Sequence, residues 1–185
     1  MVSTDKLDWI NKQHLAWRTD SAEGMRSLVE MLRPMIGERL HGSGNNALLE
    51  DVYLVSVIST IKERIRNIAD IPVLCGYFFV EPDYASAESL ELRNKLGEDA
   101  LKTILTPAMA LLSAIPPTNF SAATVKDALH AFANDAGLKF NQVMMVTRYA
   151  VTGIKIGAGV AETMEVLGRE TCLRRMEAVV GGTGM

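Results

Sequence analysis

Apolar residues recur at three- and four-residue intervals along almost the whole chain, the spacing of one helix face, and hardly ever alternate as a half-buried strand would. A first helix is predicted from a cap at Ser3 or Thr4 to about residue 16, with Leu7, Ile10, His14 and Trp17 close to one stripe. Ser21 caps a second, over 22–32, with Leu28, Met31 and Leu32 inward and Pro34 following it. HGSGNN at 41–46 reads as a loop. The longest helix is expected over 47–70, bounded by Pro72. The YFF run within 73–82 fits a helical turn or buried connector better than a strand.

Beyond Ser86 the helical spacing resumes over 87–94 and 97–115, where Pro107 allows a kink. Pro116 and Pro117 form a linker, Ser121 caps 122–136, and Gly137 ends that helix. Further helices are predicted over 140–152, 160–167 and 169–180, punctuated by Gly153 and Gly168. Seven or more helices on short connections give an all-α fold, a two-lobed helical bundle with lobes at 1–82 and 83–185.

Composition narrows the function classes. The chain has 185 residues, 48% of them hydrophobic and 22% charged, enough to bury a core. A net charge of -3 argues against a sequence-blind polyanion binder, so any nucleic-acid contact must be local. Charge is uneven: residues 137–185 carry six basic side chains against four acidic, whereas 80–136 carry four against eight. Cys75 and Cys172 fit no metal or redox spacing and are expected to be buried thiols. The opening MVSTDKLDW has neither secretory nor transit character, and no apolar run reaches the roughly 18 residues of a membrane helix.

No arrangement of residues suggests catalysis, and no metal or cofactor is expected. His14, His41 and His130 have no ligand-spaced partners, and HGSG lacks the preceding strand and following lysine of a phosphate loop. Glu50 with Asp51, and Glu98 with Asp99, fall in first helical turns, where the macrodipole favours them. Arg174 and Arg175 fall near a helix C-terminus, where cations are stabilising without any ligand. Two arginines are different. At about 100° per residue Phe140, Val143, Met144, Thr147 and Val151 form a stripe with Arg148 at its edge. Arg64 borders the apolar side of the long helix in the same way. Such an arginine either snorkels over hydrocarbon or offers a planar donor pair that can read a base edge.

Five segments in order, KLDWINKQHL at 6–15, IKERIRNIAD at 61–70, YFFVEPDY at 77–84, VTRYAVTG at 146–153 and EVLGRETCLRRMEAV at 165–179, resemble the C-terminal, anticodon-binding half of the glutamyl-tRNA synthetases. The resemblance covers nearly the whole chain and implies an α-helical cage that grips the anticodon arm of a glutamate-type tRNA. It places Arg148 on the first anticodon base and Arg64 on the third. Gly157, Ala158, Gly159 and Val160 stand where the family presents a proline-x-leucine loop, losing proline's conformational restriction, and Phe120 is nearest to a usual tryptophan. The family's nucleotide-binding half, with its histidine-rich adenylate motif and mobile lysine loop, has no counterpart in these residues, which implies that this chain alone does not aminoacylate.

The expected function is therefore that of a tRNA anticodon-arm binding module, serving glutamyl-tRNA aminoacylation when joined to a catalytic half. Arg148, Arg64, Gly157, Ala158 and Val160 are the expected anticodon contacts, with Lys139, Lys155 and Arg169 on the RNA backbone and bases stacked on side chains such as Tyr149. The bacterial cytoplasm or mitochondrial matrix is the expected compartment. The alternative is a stand-alone paralogue acting as a protein-interaction scaffold or tRNA competitor.

Overall fold

The computed structural model describes residues 4–40 and 46–182, in which ten α-helices and four short 3-10 turns make up all the regular structure. The fold is all-α. The chain divides into two compact units, Met1–Val80 and Glu81–Met185.

In the first unit α1 (Thr4–Thr19) and α2 (Ala22–Arg39) pack together, and α2 also packs on α3 (Asp51–Ile61) and the short α4 (Ile71–Leu74). Ser21 does cap α2, its hydroxyl accepting the Gly24 N–H at 3.0 Å. Three expectations are corrected. The stripe of Ile10, His14 and Trp17 faces solvent, and among the described side chains of α1 Leu15 is the buried one, because periodicity marks a face without saying which face a neighbour covers. The second helix runs through Pro34 to Arg39, and Met31 is exposed. Pro34 and Glu30, four residues earlier, are both exposed, so the bond that proline cannot make is missing on the open side of the helix.

The third correction bears on function. The expected helix over 47–70 is broken into a 3-10 turn, Asn46–Leu49, then α3, then a second 3-10 turn, Ile68–Asp70. Side chains of the IRNIAD segment take over the backbone's hydrogen bonding there. Asn67 Oδ1 accepts the Ala69 N–H at 3.1 Å, and Asp70 Oδ2 accepts the N–H groups of Arg66 at 2.9 Å and Asn67 at 3.0 Å. The break still buries Ile61, Ile65, Ile68 and Ile71. Beyond α4 the Tyr77, Phe78 and Phe79 run is a buried connector, tied by the Tyr53 hydroxyl donating to the Phe78 carbonyl at 2.5 Å. Of the 41–46 loop, residues 41–45 lie outside the described residues, as does a cap at Ser3.

The second unit contains α5 (Ala87–Leu96), α6 (Glu98–Ala114), α7 (Ala122–Asp135), α8 (Phe140–Thr152), α9 (Val160–Leu167) and α10 (Arg169–Gly181). Ser86 and Ser121 cap α5 and α7. Helix α8 packs against all five others and is buried on most sides, which is why an apolar stripe alone understated its environment. Its last carbonyls are all engaged up to Val151: Arg148 O by the Thr152 hydroxyl at 2.8 Å, Tyr149 O by Gly153 N at 2.8 Å, Ala150 O by the Tyr84 hydroxyl at 2.6 Å and Val151 O by Arg175 at 2.7 Å. Arg175 is therefore a buried structural donor. Arg174 makes two 2.9 Å hydrogen bonds to Glu81, so the expectation that both were simple helix-end cations is corrected.

Both cysteines are buried and unbridged, and burial pushes the Cys172 thiol up to about 12, the property of an inert core sulfur. Gly153 ends α8 in the left-handed region with φ 70°, and a Cβ built there would lie 3.0 Å from Pro82 Cβ. Gly153→Ala is expected to destabilise the chain by about 1–3 kcal/mol in urea unfolding, since strain and contact act together. A wild-type midpoint for this variant would show that the turn relaxes without penalty.

Candidate nucleic-acid interface

The C-terminal turn of α8 leads through a seven-residue connection, 153–159, into α9, and Arg148 ties the two together. Its side chain is half-buried, with Nη1 sealed from solvent, and Nη2 donates to the Ala158 carbonyl at 2.7 Å. The Thr152 hydroxyl, already on Arg148 O, lies 3.3 Å from Ile154 N as a second tether. Between these anchors Lys155 and Ile156 project outward, Ile156 with 76% of its surface exposed.

The candidate residues fall into distinct environments. Gly157 is half-exposed, whereas Ala158 and Val160 are buried, at 1% and 6%, so they shape the connection from within. Lys139 and Lys155 are exposed, and neither side chain has a hydrogen-bond or ion-pair partner among the described residues. Lys139 precedes α8 and so lies roughly 13 Å along the helix axis from Arg148. Arg169 braces the end of α6, donating to Ile115 O at 2.9 Å and Ser113 O at 3.3 Å while pairing with Glu170 at 3.0 Å. Tyr149 is completely buried, which corrects the expectation that bases could stack on it. Arg64 belongs to the first unit, in the turn after α3, and is exposed.

Four of the six basic side chains of the tail, Arg148, Arg169, Arg174 and Arg175, are thus engaged by protein partners. Arg174 and Arg175 converge on Glu81, Arg175 at 3.3 Å. The hydrogen bonds from Arg174, and then the charge of Arg175, hold the Glu81 carboxyl below its ordinary 4.5. A depressed carboxyl contributes stability that is present above the unfolded value and lost as pH falls through the folded one. The melting temperature of wild type should therefore exceed that of Glu81→Gln above pH 4.5, and the gap should close below it. More than half of this side chain is exposed, so solvent screening keeps the gap small. A gap that stayed constant down to strong acid would remove the ion pair as its cause.

Among the described residues no three His, Cys, Asp or Glu side chains group as metal ligands, and no helix is long and apolar enough to cross a membrane. The sequence model of a family described as the anticodon binding domain matches residues 27–180. The chain belongs to that anticodon-binding family. It is 30% identical over 183 residues to the glutamate–tRNA ligase of Chloroherpeton thalassium, covering 97% of this chain and 35% of that protein. The corresponding ligase of Dehalococcoides mccartyi strain BAV1 is 32% identical over 178 residues, with 95% and 34% covered. The anticodon-binding domain described here therefore spans about a third of the length of the curated relatives it matches, their C-terminal part. A crystal structure of a glutamate tRNA ligase from Elizabethkingia meningosepticum has the same fold over 97% of this chain and 32% of its own, at TM-score 0.74 and 22% identity.

Sequence reasoning did not single out Ile156, and read Arg175 only as a helix-end cation. Ile156 carried a signal, an apolar residue next to lysine in a glycine-rich stretch with no helical period. The buried bond of Arg175 carried no signal, because its partner, the Val151 carbonyl, is 24 residues away.

Proposed function

We propose that this anticodon-binding domain grips the anticodon arm of a glutamate-type tRNA and serves glutamyl-tRNA aminoacylation when joined to a catalytic half. The observation that carries the reading is the half-buried Arg148, oriented by its bond to Ala158 O, at the root of a connection that projects Lys155 and Ile156. A guanidinium already held along one edge has little freedom left to lose when it meets a base, which favours discrimination over mere attraction. Arg64, open on the first unit, supplies a second base contact, and Lys139 and Lys155 meet phosphates. Arg169, braced on α6, is a phosphate contact only through donors it does not give to that helix. Gly157 lets RNA approach the backbone, while Ala158 and Val160 set the position of the connection. On this reading the chain alone makes no adenylate, and its compartment is the bacterial cytoplasm or the mitochondrial matrix.

The test is binding of a glutamate-type anticodon stem-loop against one with the first anticodon base exchanged. Preference for the former supports the reading; equal affinity sinks it. Lys155→Ala is expected to weaken both loops alike and to reduce the slope of log affinity against log salt by about one. An unchanged slope would take Lys155 off the phosphate backbone.

A further inference from the structure

A cavity of about 220 Å³ opens in the first unit between α1, α2 and the segment before the Ile68–Asp70 turn. Its polar lining is Asn11, His14, Arg18, Arg66 and Asn67, over a floor that includes Leu28 and Ile68. Among the described residues it contains no carboxylate, in a chain whose net charge is -3. Asp70, two residues beyond Ile68, is engaged by two backbone N–H groups.

Arg18 is the notable member. One terminal nitrogen donates to the Ser27 hydroxyl at 2.7 Å and reaches the Met31 sulfur at 3.5 Å, both neutral partners. That holds the guanidinium in place while leaving its other N–H donors, and its whole charge, unmatched by any described acid. Asn67 gives its side-chain oxygen to Ala69 and keeps its NH₂ as a donor. At the rim His14 meets Trp17 edge-on, ring centres 5.9 Å apart, and Trp17 is 72% exposed.

We infer that this cavity binds the phosphate of an unpaired nucleotide, with Arg18 as the positioned cation and the exposed Trp17 face as the stacking surface for the base. An oriented guanidinium is suited to phosphate oxygens, and an open indole stacks on any base. The volume lies below the roughly 300–1,000 Å³ of pockets that enclose a whole small molecule, so the cavity takes one group of a larger ligand. The source of that nucleotide rests on the tRNA reading; the chemistry of the cavity does not.

Both tryptophans of the chain, Trp9 and Trp17, are on α1, so intrinsic fluorescence reports on this face. The 185-residue chain is titrated with inorganic phosphate, a nucleoside monophosphate, a single-stranded oligonucleotide and the anticodon stem-loop. Saturable quenching by the monophosphate is expected, weakened about tenfold in Arg18→Gln and less in Arg18→Lys. Trp17→Leu, at an exposed position that does not threaten the fold, should weaken the monophosphate but not inorganic phosphate. Absence of saturable monophosphate binding, or wild-type affinity in both Arg18→Gln and Trp17→Leu, overturns the inference. Equal affinity for phosphate and monophosphate overturns it too, because stacking would then contribute nothing. A chain that binds the stem-loop without dependence on Arg18 or Trp17 keeps the tRNA reading and loses this one. Monophosphate binding that depends on both residues, with no stem-loop binding, does the reverse.

Discussion

Arg175→Ala is expected to lower the stability of the chain by about 2–4 kcal/mol, the cost of a lost charged hydrogen bond to a buried carbonyl together with lost packing, since Glu81 is half-exposed and keeps Arg174. The side chain is 3% exposed, donates to Val151 O at 2.7 Å and lies 3.3 Å from Glu81. Its loss strands a helix-terminal carbonyl away from water and opens a void between α8 and α10. At roughly 4–8 °C per kcal/mol for a unit of this size, the melting temperature should fall by about 10 °C or more. Arg175→Met restores volume but no donor, and Arg175→Lys restores charge without the planar fork. Methionine should remain well below wild type, with lysine in between. If methionine matched wild type, packing rather than the carbonyl bond would be what Arg175 provides.

Arg148→Ala is expected to weaken the glutamate-type stem-loop roughly tenfold to a hundredfold, the worth of a lost bidentate base contact. It also releases Ala158 O, but that is one hydrogen bond to a charged donor, about 1.5–3 kcal/mol, so the variant should stay folded at room temperature. The two roles separate on the exchanged-base loop. Loss of a base contact erases the preference between loops; loss of the tether alone lowers both affinities together. Arg148→Lys keeps the charge without the fork and should retain attraction while losing preference. Preference at the wild-type level in Arg148→Lys would rule out a base-reading arginine.

What could be read from the residues follows the range of the interactions involved. Ser21, Ser86 and Ser121 act as caps because each bonds an amide three residues on, within sight of a local pattern. The break after Ile61 was equally local, written as Asn67 with Asp70 three residues later, but a run of isoleucines at helical spacing outweighed it. Placement of the site residues was less legible. Tyr149 and Arg148 are neighbours in sequence, yet one is buried against Tyr84 and the other half-open, a difference set by helices that pack on α8 from far along the chain.

By itself the sequence determined the all-α fold, the positions of most helices and the membership of the anticodon-binding family, because helical period, caps and motif order are carried by neighbouring residues. Tertiary structure alone decided which arginines remain available: Arg175 is sealed on Val151, Arg169 braced on Ile115, Arg148 held by Ala158 and Arg64 left open. A guanidinium looks the same at every position in a sequence. What it can bind is fixed by the carbonyls and carboxylates that folding brings within 3 Å or so of it.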